Sequence, residues 1–146
     1  MKFSTKSRYA LRMMLDLIIN STQDSYVSLK DVSARQEISV KYLEQIVMQL
    51  TRAGLLKSSR GPQGGYMLAR PASRYTPGDV IRCIEGRLAV VTCLESDPNP
   101  CRRAGFCSTL RFWQGLNQAL NQYVDSMTLE EMADAYRRNI PLDFSI

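Results

Sequence analysis

The apolar and polar positions of the chain recur with helical spacing over several stretches that short polar breaks separate. Residues 6–20 are apolar on nearly every side, which predicts a helix that must be covered on more than one face. Ser28 and Ser39 each stand where the N-cap of a short helix is expected, with a tight turn at residues 37–38 between the two helices and Gly54 after the second. Two short helices joined by such a turn are typical of a helix-turn-helix.

The second helix of this pair has two distinct faces. Apolar residues at steps of three and four predict a buried stripe, which consists of Val40, Leu43, Ile46, Val47 and Leu50. The side chains left outside are Ser39, Lys41, Gln45, Gln49 and Arg52, with Glu44 at the border. Such donors and acceptors read base edges in the major groove when they lie at the N-terminal end of a recognition helix. Taken alone, however, this pattern is more often that of an ordinary amphipathic helix.

A β-hairpin is predicted directly behind the helix pair. The chain runs as a strand to Arg60, turns through the sequence Gly-Pro-Gln-Gly-Gly and returns as a strand over residues 66–69. A glycine such as Gly64 lets the backbone approach a phosphate closely, and an arginine at the hairpin tip can enter the narrow minor groove. Residues 1–75 are therefore expected to form a winged helix-turn-helix domain that binds DNA, with Arg60 and Gly64 in its wing.

The second half of the chain predicts further helices around one irregular segment. Thr76 caps a helix that stops near Gly86, residues 86–107 look irregular, and two more helices cover residues 108–126 and about 128–138. The predicted fold is accordingly mainly α with a small β-hairpin wing, followed by a cysteine loop and a long helix.

The helix predicted over residues 108–126 has the composition of an interface. It carries no charged side chain between Arg111 and Asp125. Its apolar positions keep helical spacing, and they are Leu110, Trp113, Leu116, Leu120, Tyr123 and Met127. Charge depletion with buried aromatic residues is typical of protein–protein interfaces, although a helix packed only on its own domain would show the same stripe. Residues 76–146 are therefore predicted to form a cysteine-loop sensor and dimerisation region.

The distribution of charge favours a polyanionic partner for the first half of the chain. The 146 residues include 19 Lys+Arg and 14 Asp+Glu, a formal net charge of +5. Residues 1–82 hold 13 Lys+Arg against 6 Asp+Glu, whereas residues 83–146 hold 6 against 8. A basic half of this kind indicates contact with nucleic acid, and a solvated surface with surplus Lys and Arg is the alternative.

Composition also excludes several functional classes. The chain contains no histidine, which removes Ser-His-Asp and Cys-His nucleophiles and His-ligated catalytic zinc, so a hydrolase of common design is not expected. With the predicted DNA-binding domain, the chain is expected not to be an enzyme. No run approaches the roughly 18–20 apolar residues that a membrane helix needs. Residues 1–20 lack a signal-peptide pattern, and a cytoplasmic protein without a membrane partner is expected.

Three of the four cysteines lie in the irregular segment. Seven residues separate Cys93 from Cys101, and five separate Cys101 from Cys107. Three thiols in one polar loop suit a metal or redox centre, and soft thiolates suit an iron–sulfur cluster, which normally takes four protein ligands. The alternatives are a reversible disulfide or sulfenic acid in this loop, or reduced thiols without a role. The fourth cysteine, Cys83, lies between apolar neighbours and is expected in the core.

Several segments of the sequence resemble one known family of regulators. The matching residues are 4–11 (STKSRYAL), 38–39 (IS), 42–45 (YLEQ), 54–55 (GL), 59–62 (SRGP), 64–66 (GGY), 78–81 (GDVI) and 128–129 (TL). On these residues the chain resembles the IscR-type winged-helix regulators, the Rrf2 family, over essentially its whole length. The resemblance implies a homodimeric bacterial transcription repressor that binds a palindromic operator of double-stranded DNA, with half-sites roughly 34 Å apart. It also implies major-groove contacts from Ser39, Lys41, Glu44 and Gln45 and a minor-groove contact from Arg60.

The same resemblance bears on the cysteines. Family members with three cysteines in this loop resemble iron–sulfur sensors, which implies Cys93, Cys101 and Cys107 as ligands and favours a [2Fe-2S] over a [4Fe-4S] cluster. This chain departs from the IscR pattern in its longer first interval and in Leu110, which stands where that pattern has a histidine. It departs from the nitric-oxide-sensing branch in Arg8, which replaces an acidic ligand.

Four functional hypotheses stay open from the sequence. The first is a DNA-binding repressor that senses an iron–sulfur cluster or redox status. The second is a regulator of cysteine or sulfur metabolism that binds no cluster. It would be controlled by thiol oxidation, or by a partner protein as in family members that lack the cysteines. The third is a nitric-oxide-sensing repressor, and the fourth is an interaction subunit that binds no DNA.

Overall fold

The computed structural model describes residues 1–22 and 24–139, and this part of the chain is mainly helical. The helices are α1 (Thr5–Asn20), α2 (Leu29–Gln36), α3 (Val40–Arg52), α4 (Pro77–Glu85), α5 (Leu110–Val124) and α6 (Leu129–Asn139). Between α3 and α4, the antiparallel strands β1 (Leu56–Ser59) and β2 (Gly65–Leu68) form a hairpin. Among these described helices, none is long and apolar enough to cross a membrane. The predicted mainly α fold with a β-hairpin wing is confirmed.

The predicted helix caps are present. Ser28 and Ser39 each accept a hydrogen bond from the backbone N–H three residues later, at the starts of α2 and α3. Thr76 and Asp79 form a reciprocal capping box at the start of α4. Thr128 and Glu131 form a second one at the start of α6. Each cap satisfies backbone N–H groups that a helix start leaves without a partner.

Helix α1 lies at the centre of the core. Its residues Ala10, Met13, Met14 and Leu17 are fully buried, and α2, α3, α4, α6 and β2 all pack against this helix. Burial of each large apolar side chain stabilises the fold by about 1.5–3 kcal/mol. The prediction that this helix is covered on more than one face is confirmed.

Two assignments on α3 are wrong. The stripe residues Leu43, Ile46, Val47 and Leu50 are buried as predicted, but Val40 is 38% exposed. Val40 is the first residue of α3 and lies one turn before the helix passes over the core. Gln49, assigned to the outer face, is half-buried because α4 packs against this side of α3, where Cys83 Sγ lies 3.6 Å from the Gln49 carbonyl oxygen.

The base of the wing is held by a buried tyrosine. Tyr75 is fully buried, and its hydroxyl donates to the Leu55 carbonyl at 2.8 Å and accepts the Arg70 N–H at 3.1 Å. The Tyr75 carbonyl accepts the Leu129 N–H at 2.8 Å. One side chain and its backbone thus join both ends of the hairpin to the start of α6, and sequence reasoning gave this residue no role.

Helix α5 packs mainly on α4. A small second cluster of Ile81, Leu88 and Val124 lies between them, with Leu120 against it. Arg82 pairs with Asp125 at 2.9 Å, and this pairing holds the pKa of the Asp125 carboxyl below its usual value. The rest of α5 is largely exposed, and this helix is shorter at both ends than the predicted range of 108–126.

Candidate nucleic-acid interface and cysteine segment

The N-terminal end of α3 carries four of the predicted DNA-contacting residues. Ser39, Lys41, Glu44 and Gln45 are all exposed there. Ser39 Oγ accepts the Tyr42 backbone N–H at 3.2 Å, which leaves the serine hydroxyl hydrogen free to donate to a phosphate or a base. The positive end of the helix dipole adds to the attraction for an anion.

The turn before α3 is closed by local contacts. Glu37 adopts the left-handed conformation (φ 56°, ψ 43°) that ends α2, and its N–H donates to the Ser33 carbonyl at 2.9 Å. Ser33 Oγ donates to the Ile38 carbonyl at 2.6 Å, and Ile38 is buried. The predicted helix-turn-helix is therefore present, with α3 as its outer, second helix.

The buried carboxylate of Asp16 on α1 fixes the position of the C-terminal end of α2. The side chain of Asp16 has no exposed surface, and it accepts Arg35 Nη2 at 2.7 Å and Nε at 3.0 Å. Gln36 Nε2 donates to the same carboxylate at 2.8 Å, and Gln36 Oε1 accepts Arg12 Nε at 3.2 Å. Because a buried charge is stable only when its partners stay in place, this network constrains the position of the turn. Sequence reasoning missed it, although an aspartate within an apolar helix was a usable signal.

The wing presents Arg60 on an exposed turn that only glycine can complete. Arg60 directly follows β1 and is exposed. The Gly64 N–H donates to the Gly61 carbonyl at 2.9 Å, and a Cβ on Gly64 would lie 2.8 Å from the Arg60 carbonyl carbon. The structure thus gives Gly64 a role in closing the turn, and its contact with a phosphate stays a prediction.

In the structure, Cys93, Cys101 and Cys107 are not arranged around a common metal site. Cys93 lies in a short 3-10 turn (Thr92–Leu94), Cys101 is exposed, and all four cysteines of the chain have free thiols. Hydrogen bonds from Thr109, aided by the charge of Arg103, lower the pKa of the Cys107 thiol. In the ranges 1–22 and 24–139, no group of three cysteine or carboxylate side chains is arranged to hold a metal ion. The donors suit a soft metal, but ligation needs a rearrangement of this segment.

Cys83 differs from the other cysteines. It packs against the core beside α3, and burial raises the pKa of its thiol. The prediction that Cys83 is a core residue is confirmed.

The cysteine segment, residues 86–107, is held against the rest of the chain at its start. The Val90 N–H donates to Asn117 Oδ1 at 3.0 Å, and Asn121 Nδ2 donates to the Leu88 carbonyl at 3.2 Å, so α5 holds residues 88–90. The hydrogen bonds found within residues 92–107 join positions only two or three apart. This short-range pattern leaves the segment able to change shape without breaking the core.

Comparison with known proteins identifies the family that shares this architecture. Residues 3–135 match the family model of Rrf2, which is described as an iron-dependent transcriptional regulator. This chain belongs to the Rrf2 family. It is 42% identical over 134 residues to an HTH-type transcriptional regulator of Neisseria meningitidis, and the match covers 92% of this chain and 88% of that protein.

Two solved structures are similar to this Rrf2-family chain over nearly its whole length. CymR, the global cysteine regulator of B. subtilis, is 38% identical with a TM-score of 0.75, covering 92% of this chain and 98% of that chain. IscR of T. potens is 35% identical with a TM-score of 0.75, and the match covers 99% of this chain and 95% of that chain. As a family member the chain is a DNA-binding transcription regulator, and the prediction that it is not an enzyme is confirmed by these relatives.

Proposed function

We propose that two copies of this chain bind a palindromic operator in the cytoplasm and repress transcription there. Each copy places Ser39, Lys41, Glu44 and Gln45 in the major groove and Arg60 in the minor groove. The observation that carries the proposal is the joint exposure of these side chains on α3 and the wing. They belong to the half of the chain with 13 Lys+Arg against 6 Asp+Glu. Recognition of a DNA duplex requires side-chain donors and acceptors that contact base edges, next to positive charge that contacts phosphates.

An exposed apolar stripe on α5 supports a homodimer. Phe112, Leu116 and Tyr123 are 64%, 44% and 69% exposed, and their spacing places them on one side of the helix. The neighbouring side, with Leu120 and Val124, faces α4. Exposed apolar side chains grouped on one helix are typical of an interaction site, and in a symmetric pair the same stripe on each copy covers the other.

Residues 1–75 form the DNA-binding domain in this proposal, and residues 76–146 form the sensor and dimerisation region. The sensor is the cysteine segment, with Cys93, Cys101 and Cys107 as ligands of an iron–sulfur cluster, a [2Fe-2S] rather than a [4Fe-4S] type. Free thiols, a segment held by short-range hydrogen bonds and membership of an iron-dependent family support this assignment. A bound cluster supplies a group that responds to iron and oxidants.

A route from this segment to the DNA-binding domain begins at Glu85. Glu85 is the last residue of α4, and its Oε1 accepts the Ser4 N–H and the Ser7 hydroxyl, both at 2.7 Å. These hydrogen bonds lower the pKa of the Glu85 carboxyl and join α4 to the start of α1. A rearrangement beyond Gly86 that moves this contact would couple the segment to α3, and a coupling of about 1–3 kcal/mol is enough to regulate DNA affinity.

A second candidate is control by thiol oxidation without a cluster. The lowered pKa of Cys107 gives a larger thiolate fraction near neutral pH, and the thiolate is the reactive form of cysteine. The similarity to CymR, the global cysteine regulator of B. subtilis, points in the same direction.

Anaerobic purification followed by iron, acid-labile sulfide and absorbance measurements tests the sensor. The proposal expects equal amounts of iron and sulfide, lost in Cys101→Ser and retained in Cys83→Ser, the matched control in the core. Colourless, iron-free protein after reconstitution with iron and sulfide contradicts the cluster. A loss of two hydrogens from the loop peptides after peroxide treatment, measured by mass spectrometry, then supports the second candidate.

An Arg60→Ala variant tests the wing assignment. We expect operator affinity to fall by about tenfold, with a loss of preference for A·T pairs near the wing and a shallower salt dependence. Arg138→Ala is the control, because Arg138 is an exposed arginine near the end of α6. Fluorescence anisotropy at several salt concentrations, on operators with A·T or G·C pairs near the wing, measures all three effects. An Arg60→Ala variant that binds like Arg138→Ala contradicts the assignment.

A further inference from the structure

We propose that Val40 contacts the 5-methyl group of a thymine in each operator half-site. This inference rests on the proposed function, which places the N-terminal end of α3 in the major groove. It adds an apolar, sequence-reading contact to the polar ones already assigned.

The first turn of α3 exposes one apolar side chain among polar ones. Val40 is 38% exposed, although its spacing would suit the buried stripe. Its exposed neighbours are Ser39, Lys41 and Glu44, and the first turn of α3 therefore presents one branched apolar group within a polar surface. A single exposed valine is ordinary on a protein surface, but Val40 lies at the end of α3 that the proposed function places in the major groove.

The chemistry of the major groove defines the partner. Base edges there present hydrogen-bond donors and acceptors, and the thymine methyl is the apolar group among them. A valine side chain can bury that methyl but cannot pair with a donor or acceptor. Valine is also stiff about χ1 in a helix, so little conformational freedom is lost when it makes the contact.

The position of Val40 relative to Glu44 predicts where the thymine lies. The two residues are four apart on α3 and so lie on one side of the helix, roughly 6 Å apart along its axis. Successive bases along a strand are about 3.4 Å apart. The thymine is therefore expected within about two base pairs of the pair that Glu44 contacts.

Deoxyuridine substitution tests the contact because it removes the methyl group and keeps the base pair. An operator is first selected from random duplex DNA with the full chain, and each thymine is then replaced by deoxyuridine in turn. We expect one position per half-site at which the replacement weakens binding by about fourfold, the value for one buried methyl group. For Val40→Ala the same replacement should have no further effect, because the partner of the methyl is already gone.

Met48→Ala is the matched control, since Met48 is the other apolar side chain exposed on α3, at 50%. This variant should keep the full deoxyuridine effect. Val40→Ala should fold, because alanine favours a helix and the site is exposed, and circular dichroism checks this. A selected operator without any deoxyuridine effect, or an effect that persists in Val40→Ala or vanishes in Met48→Ala, overturns the inference alone. Failure to enrich any sequence would overturn the proposed function together with it.

Discussion

At the junction of α4 and α5, a side chain at position 78 would displace an ion pair. A Cβ on Gly78 would collide with the side chains of Asp125 and Arg82, and it would lie 3.0 Å from Val124 Cγ2. Asp125 also accepts a hydrogen bond from the Thr76 hydroxyl at 2.9 Å. Because Gly78 has no side chain, Arg82 and Asp125 can pair beside it, and this pair holds the start of α4 against the end of α5. This contact gives a physical reason for glycine at position 78.

A Gly78→Ala variant should be less stable by about 0.5–1 kcal/mol, because the added methyl displaces the partly exposed pairing of Arg82 with Asp125. Urea unfolding followed by circular dichroism measures the change. Gly105→Ala is the control, since a Cβ there meets no atom within 4 Å. Equal stabilities of the two variants would contradict this account of the junction.

The residues predicted correctly from sequence are those whose role is local. Ser39 and Thr76 cap helices through backbone groups three positions away, which the sequence itself brings close. Val40, Asp16 and Tyr75 depend on where distant elements pack, and helical spacing alone contains no information about that. The same limit explains why the exposure of Val40 appears only in the structure.

At the scale of elements, α5 shows the clearest difference between sequence and structure. The sequence predicts one apolar stripe, whereas the structure divides it into a side against α4 and an exposed side with Leu116 and Tyr123. Spacing identifies an amphipathic helix but does not say which apolar residues stay uncovered within one chain.

A Leu116→Glu variant should weaken the proposed dimer by at least about 100-fold, because the twofold axis brings two uncompensated carboxylates into one apolar contact. Analytical ultracentrifugation over a concentration series measures the dissociation constant. Gln118→Glu adds the same charge at another exposed position of α5 and should leave the dimer largely intact. A dimer equally strong in both variants would show that this stripe is not the interface.

The cysteine segment is the element that sequence predicts least completely. Its place between α4 and α5 and its irregular backbone follow from the turn residues, and the structure agrees. Whether Cys93, Cys101 and Cys107 act together depends on a rearrangement that spacing does not encode. The functional division at residue 75 likewise stays a prediction, while α4 and α6 share the core around α1.

At the scale of the whole molecule, the proposed surface for DNA and the proposed surface for a second copy lie in different halves of the chain. The basic half contains α3 and the wing, and the charge-depleted α5 lies in the other half. Net charge and helix pattern predict this division, since both are properties of long stretches rather than of single contacts, and the division stays a prediction. Family membership then makes the chain a DNA-binding transcription regulator.

The central claim is that two copies of the chain bind duplex DNA symmetrically through α3 and Arg60. Native mass spectrometry on a selected palindromic duplex, with half-sites about 34 Å apart, measures how many chains each duplex holds. The account predicts two chains on the intact palindrome and a marked loss of binding when one half-site is scrambled. A single chain per duplex, or binding unchanged by scrambling, would contradict it.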